Sequence, residues 1–338
     1  MVQLSRAVEP FGEVNVERQS DGTIAVRSTI LMVPSIEGAK AGLAVDASVS
    51  MKQFFGISTA VSSVFQKFGP PNVVEPVTRS MAEFLAGFSA EKTVEVVYWA
   101  CGPEGKDIEA VGRVGVQEAA TLRVCGPKVF GRNTHLLPAM THFVDKAFQG
   151  APWSIVVFVT DGALSDKDDV KKYSWQFAEA IASGQRQFVK LVIIGVCNPN
   201  TKEEELMGKH LLELDDMFNY CRRCNEEIPE DLEACPKCST PRLQTSDGEA
   251  IDLWDHKIAR NMSRLEEVFA EVVSEKVPVL PEGEILDSSG TAVKRWPDKK
   301  CQGLPGLLRF RLPAGSRSFT LKCPAGEFVQ DITEGLPH

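Results

Sequence analysis

Leu43-Ala-Val-Asp46-Ala-Ser48-Val-Ser50-Met51 is the stretch on which the fold turns. An apolar approach ends at an acid, and two hydroxyls follow at alternate positions. A buried strand would carry Asp46 to the rim of a sheet, and the turn after it would gather Ser48 and Ser50. Carboxylate and hydroxyl oxygens converging at the carboxyl end of a strand suit a hard cation, Mg²⁺ or Mn²⁺. On this stretch alone, a strand end with ordinary capping serines explains the residues equally well. Two later stretches tip the balance. Thr134 stands in Gly131-Arg-Asn-Thr-His135, just before a helical pattern, and Asp161 stands in Phe158-Val-Thr-Asp-Gly162, just after an apolar run.

Working outward, residues 38–275 read as an α/β domain. Strands are expected at 41–46, 93–100, 121–129, 153–160, 187–196 and 250–253. Helices between them are marked by Val77, Met81, Phe84, Leu85 and Phe88, then by Leu137, Met140, Val144 and Phe148, and then by Val170, Tyr173, Phe177 and Ile181. Residues 202–214 read as a charged helix. A last helix is expected to begin near His256 and to present Ile258, Met262, Leu265, Phe269 and Val272 on one face. Strands alternating with helices predict a doubly wound, mainly parallel sheet. The loops at the carboxyl ends of such strands lie together over one crevice. Asp46, Ser48, Ser50, Thr134 and Asp161 would therefore share a small volume, two carboxylates and three hydroxyls around one ion.

These residues carry a resemblance. Asp46-Ala-Ser48-Val-Ser50, Thr134 and Thr160-Asp161-Gly162 are similar, in order and context, to the metal-ion-dependent adhesion site of the von Willebrand factor type A (vWA) family. The resemblance covers residues 38–275 apart from a cysteine module. It implies that the two serines touch the ion, that Thr134, Asp46 and Asp161 act directly or through water, and that a partner's Glu or Asp completes the shell. The combination with a zinc module further resembles the intracellular bacterial members associated with tellurium resistance and stress operons. Asn133 and His135 flank Thr134 where the family more often has small residues.

The cysteine module spans residues 219–242. Cys221, Cys224, Cys235 and Cys238 follow C-x₂-C-x₁₀-C-x₂-C, the spacing of two knuckles offering four thiolates to a structural Zn²⁺ in a ribbon-like fold. A redox pair is the weaker reading, because two evenly placed pairs are present. Five acids between the pairs, against Arg222, Arg223, Lys237 and Arg242, make a poor phosphate surface, so no nucleic-acid partner is expected.

The two ends are different in kind. Residues 1–37 contain two strand patterns, 13–19 and 23–34, around Ser20-Asp21-Gly22. Residues 279–338 offer short strands at 307–312, 316–323 and 327–332 between Pro and Gly turns. Neither end holds enough apolar surface for its own core, so the two are expected to meet in one β-sandwich with the α/β domain inserted between them.

The totals set the outer limits. In 338 residues, 43% apolar and 25% charged, the net charge is −9, which disfavours non-specific binding to nucleic acid or anionic membranes. No run approaches a membrane span, and residues 1–20 lack the apolar core of a signal peptide. Nine cysteines, four of them in one module, point to a reducing cytoplasm. The sequence contains no phosphate-binding glycine loop and no nucleophile elbow, and its five histidines show no ligand spacing. The expected function is therefore an ion-dependent protein–protein interaction module and not an enzyme. A Mg²⁺-dependent hydrolase or phosphatase is the alternative, since an open Mg²⁺ position can polarise an ester or activate water.

Overall fold

The computed structural model describes residues 2–30, 38–57, 71–196, 202–229, 232–245, 250–259, 278–280, 282–296 and 304–336. The chain divides into two compact units, residues 37–269 and residues 1–36 together with 270–338. In chain order, β1 (Val2–Gln3), β2 (Phe11–Arg18) and β3 (Ile24–Ile30) come first. The middle of the chain holds β4 (Lys40–Asp46), α1 (Val74–Phe88), β5 (Thr93–Cys101), β6 (Asp107–Gly115), α2 (Val116–Ala119) and α3 (Leu137–His142). It continues with β7 (Trp153–Thr160), α4 (Lys167–Ala182), β8 (Phe188–Val196), α5 (Lys202–Asp215) and β9 (Trp254–Ala259). The tail supplies β10 (Pro278–Leu280), β11 (Gly283–Asp287), β12 (Ala292–Trp296), β13 (Leu304–Pro305), β14 (Leu307–Leu312), β15 (Ser318–Cys323) and β16 (Gly326–Asp331).

The central sheet runs β6-β5-β4-β7-β8-β9. All neighbours are parallel except β5 and β6. Strand order reverses between β4 and β7, which is where an open parallel sheet leaves its crevice. β4 is buried along nearly its whole length, as a strand with helices on both faces must be. The largest aromatic side chains of the core, Trp99, Phe143, Phe158 and Trp254, pack on one side of this sheet. Phe143 begins a π turn (residues 143–147) that continues α3, and its ring lies against the backbone of Gly42.

Two expectations about this unit are corrected. Residues 121–129 are not a strand. Gly126 has a φ of +95°, and the backbone is satisfied by side chains instead of a ladder: Val124 N–H donates to Glu75 Oε2 (2.8 Å) and Gly126 N–H to the Tyr98 hydroxyl (3.0 Å). The edge position belongs to β6, whose charges and glycines leave most of its residues at least partly exposed, so it lacks the apolar alternation of a half-buried strand. The last strand lies at Trp254–Ala259, not at 250–253, and Ala250 makes only an isolated bridge to Gln244. His256 and Ile258 are thus strand residues. The remainder of the helix expected to follow, from residue 260, lies outside the described residues.

The other unit is built from both ends of the chain. β14 pairs antiparallel with β3, Leu308 opposite Ser28 and Leu312 opposite Ile24, giving the sheet β1-β2-β3-β14. A second sheet, β12-β11-β15-β16, closes the same core. The Phe319 ring lies 5.2 Å from Phe11 and 5.0 Å from Phe310, edge to face in both cases, and so joins the two sheets. Neither end could bury Phe11, Ile24, Phe310 and Phe319 by itself.

Gly42 offers a direct test of the packing under the crevice. A Cβ at this position would overlap the Phe143 ring. Gly42→Ala is expected to destabilise the protein by about 1–3 kcal/mol through overpacking, read as a lowered midpoint in urea unfolding.

Candidate metal centres

Asp46 ends β4 at the strand-order reversal and has no exposed surface. Both of its oxygens are fixed. Ser48 N–H donates to Oδ1 (2.7 Å), and the Thr160 hydroxyl, at the end of β7, donates to Oδ2 (2.6 Å). Ser48 and Ser50 place their hydroxyl oxygens 3.0 Å apart, and Ser50 donates to Asp161 Oδ1 (2.8 Å). Four of the five expected residues therefore form one connected polar chain across the crevice. The fifth arrives on a separate loop. Thr134 Oγ1 lies 3.5 Å from the place a Cβ on Gly162 would occupy, which puts it beside the residue that follows Asp161.

The rim is held together by its backbone. Val49 N–H donates to Gly131 O (2.8 Å) and Gly131 N–H to Ala47 O (3.1 Å), which ties the Ser48 loop to the Thr134 loop. Ala47 N–H in turn donates to Trp99 O (2.8 Å) on β5. On the other side, Ser165 N–H donates to Thr134 O (2.9 Å), while Thr134 N–H donates to Ser165 Oγ (3.1 Å). Asp166, buried before α4, accepts from Leu136 N–H and Leu137 N–H, both at 2.9 Å, and so satisfies orphan donors where α3 begins. In the sequence pattern Asp166 looks like an ordinary first-turn helix charge, Ser165 carries no local signal, and Thr160 enters only within the Thr160-Asp161-Gly162 resemblance. In the structure all three position the loops that bear the expected ligands. A hydroxyl ending the otherwise apolar run Ser154-Ile-Val-Val-Phe-Val159 was the available clue to Thr160.

The electrostatics follow from burial. Desolvation pushes the Asp46 carboxyl up to about 6, against the hydrogen bonds from Thr160 and Ser48 that favour its charged form. Desolvation, and then repulsion from Asp46, pushes Asp161 up to about 7. Two desolvated carboxylates, two serine hydroxyls and a threonine hydroxyl form an oxygen donor set matched to a hard divalent cation.

The cysteine module is the second centre. The ligating sulfurs of Cys221, Cys224, Cys235 and Cys238 all lie within 4.8 Å of one another. Cys221–Cys238, Cys224–Cys235 and Cys224–Cys238 are each 3.5 Å apart, sulfur to sulfur. A tetrahedron of sulfurs around Zn²⁺, with bonds of about 2.3 Å, has edges of about 3.8 Å, so the four residues fit a metal of this size. The two knuckles repeat each other. Asn225 N–H donates to Cys221 O (2.8 Å) and Ser239 N–H to Cys235 O (2.9 Å), and Asn225 and Ser239 both adopt the left-handed conformation, with φ of 54° and 58°.

Most of the module's cations are spent internally. Arg242 donates to the carbonyls of Phe218 (3.3 Å), Leu232 (3.0 Å), Pro229 (3.1 Å) and Ile228. Arg222 pairs with Glu179 on α4 (3.0 Å) and Lys237 with Glu226 (3.2 Å). Three histidines lie beside carboxylates, while the buried Nδ1 of His210 has no hydrogen-bond partner among the described residues. His142 meets Glu95 at 2.6 Å, a bond that holds the Glu95 carboxyl below its usual value, and His256 meets Asp215 at 2.8 Å. His135 lies 3.7 Å from Asp166.

Several solved structures resemble this chain. The crystal structure of the ArnB paralog VWA2 from Sulfolobus acidocaldarius matches over 92% of this chain and 68% of its own, with 14% identity and a TM-score of 0.39. The pilus adhesin SpaC from Lactobacillus rhamnosus GG matches over 98% of this chain, with 10% identity and a TM-score of 0.42, and this chain spans 48% of its length. The PilB minor pilin from Streptococcus sanguinis matches over 79% of both chains, with 8% identity and a TM-score of 0.37. No protein-family model and no curated protein matches. The fold class rests on the strand order and sheet pairing described above. One expectation is withdrawn. Cytoplasmic location was expected, yet the similar structures include a pilus adhesin and a minor pilin, so this architecture does not mark a cytoplasmic chain. The physical reason is that a net negative charge and four cysteines placed close enough to share a metal suit either side of a membrane. Among the described residues, no helix is long and apolar enough to cross one.

Asp166→Ala removes the acceptor for two N–H groups at the start of α3. It is expected to cost about 1–2 kcal/mol in chemical unfolding. Asp168→Ala, at an exposed position two residues on, is expected to stay within about 0.5 kcal/mol of the parent.

Proposed function

We propose that the protein is a divalent-ion-dependent protein-binding module. In this reading Asp46, Ser48, Ser50, Thr134 and Asp161 hold one Mg²⁺ or Mn²⁺, and a Glu or Asp of a partner protein supplies the last oxygen. The observation that carries it is the continuous chain from Thr160 through Asp46, Ser48 and Ser50 to Asp161, which gathers oxygens from two strand ends at the strand-order reversal. The donor set offers two protein negatives to a divalent ion. An incoming carboxylate adds a third and replaces water. The same donor set weighs against the hydrolase reading, because neither Asp46 nor Asp161 is left over as a general base. The cysteine module is proposed to hold one Zn²⁺ that staples the insertion to α4, with a docking role ahead of a nucleic-acid role because Arg222, Lys237 and Arg242 are engaged within the protein.

Isothermal titration with Mg²⁺ or Mn²⁺ tests the first centre. The parent is expected to bind one ion, and Asp46→Ala with Ser48→Ala, or Asp161→Ala, to lose it while the fold persists. Retention of parental affinity by these variants would reject the assignment. Steady turnover of a phosphoester by pure parent protein, stopped by the same substitutions, would install the enzyme reading instead.

A pH dependence follows with a definite sign. Both carboxyls titrate above their unfolded values, so the ion-free fold gains from them at low pH and loses that gain as pH rises through about 6 to 7. A bound cation favours the charged forms. Mg²⁺ is therefore expected to raise the melting temperature more at pH 8 than at pH 5, and its apparent affinity to fall as protons compete below about pH 7.

Metal analysis of protein purified under reductant should return about one zinc per chain. Zinc at background would reject the second assignment.

A further inference from the structure

We propose that the surface beside the ion centre, formed by residues 47–57 and 128–132, is a cationic and apolar platform that receives an acidic protein segment. The proposal extends the ion-site reading by naming the chemistry of the segment that flanks the partner's carboxylate. Charge distribution comes first. In a chain with 46 acids and a net charge of −9, no Asp or Glu occurs between Asp46 and Glu75, and none between Glu118 and Asp145. The fold brings parts of these two acid-free stretches together. Ser48 and Gly131 form a parallel bridge, Val49 N–H donates to Gly131 O, and the Phe55 ring packs edge to face on Phe130 at 5.6 Å.

The exposed side chains on these loops share a character. Val49 (41% exposed), Ile57 (36%) and Val129 (50%) are among the exposed large hydrophobic residues of the described chain. Lys52 lies over the Phe130 ring, with its ammonium 5.4 Å from the centroid, and Lys128 and Arg132 are exposed without an ion-pair partner among the described residues. Lys128 stands at the border, where its N–H donates to Glu109 Oε2 (3.1 Å). The first turns of α4 are mixed in charge, with exposed Asp168 and Asp169 among Lys167, Lys171 and Lys172. An acidic segment is therefore attracted to the side of the ion formed by residues 47–57 and 128–132. Three cations interleaved with three exposed aliphatic side chains suit an acidic peptide with apolar residues between its carboxylates. A nucleic-acid backbone or an anionic bilayer would need a denser positive field.

The test uses a fluorescein-labelled peptide of alternating Glu and Leu, with a Gln–Leu peptide, a single-stranded oligonucleotide and phosphatidylserine vesicles as competing probes. In Mg²⁺ the Glu–Leu peptide is expected to bind more tightly than the other three. Lys128→Glu with Arg132→Glu is expected to weaken it about tenfold or more, and Val129→Ser to weaken it less, with Mg²⁺ affinity unchanged in each. The neutral pair Lys128→Ala with Arg132→Ala should fall between, which separates charge from any change in folding. Equal binding of the peptide by parent and charge-reversed protein overturns the platform, as does preferential binding of the oligonucleotide or the vesicles. Asp46→Ala with Ser48→Ala distinguishes the two readings. Peptide binding that responds to charge reversal but ignores these substitutions and EDTA leaves the platform standing and rejects the ion's part in it.

Discussion

Asp46 is a carboxylate taken fully out of water at the point where the central sheet reverses its strand order, and much of the rim exists to make that tolerable. Burial of an isolated carboxylate is costly, and two neutral hydrogen bonds offset only part of the cost. The Thr160 hydroxyl and the Ser48 amide supply those bonds, and Asp161 adds a second negative group instead of a counter-charge. Such an arrangement leaves the negative charge of the rim without a counter-charge among the groups that contact it. It also explains the rigidity around it. Ser165 clamps Thr134 from both backbone sides, and Asp166 fixes the start of α3, so the hydroxyls do not have to be gathered from mobile loops when charge arrives.

Legibility in the sequence tracked burial. β7, a near-continuous apolar run, could be placed to the residue, and β4, β5 and β8 to within one. That Asp46, Ser48, Ser50 and Asp161 come together was readable because an acid directly after a buried run has few structural excuses. β6 was not readable, since an exposed edge strand needs no apolar alternation, and the segment at 121–129 imitated one while giving its amides to Glu75 and Tyr98. β9 was displaced because Trp254 and Ile258 satisfy a helical spacing as readily as a strand one. The positioning roles of Thr160, Ser165 and Asp166 escaped notice for another reason. Their work is long-range hydrogen bonding, and no local periodicity records which amide a side chain will meet.

The cysteine module illustrates how a segment too small for a core remains ordered. Its apolar interior consists of Cys221, Ile228 and Cys235, which is far too little to fold a chain of its length. Paired knuckles and the Arg242 guanidinium, reaching four carbonyls, make up the difference. Trp175 on α4 and Phe218 at the module's entrance pack edge to face at 4.7 Å, which fixes the module to the sheet's helical layer. An arginine that sequence reading counts among possible phosphate contacts is here an internal fastener.

The pairing of β3 with β14 has a consequence for how the molecule comes into being. Synthesis runs from the amino end, so β1, β2 and β3 emerge as an incomplete sheet whose inner face, with Phe11, Val16 and Ile24, has nothing to cover it. The strand that extends it and the sheet that closes over it come from residues made after the α/β unit. The α/β unit between them contains its own strands in sequence and can be finished first. From the completion of β3 until β14 is made, then, the chain carries an apolar, open-edged hairpin, a state that favours sticking to neighbours and to other nascent copies.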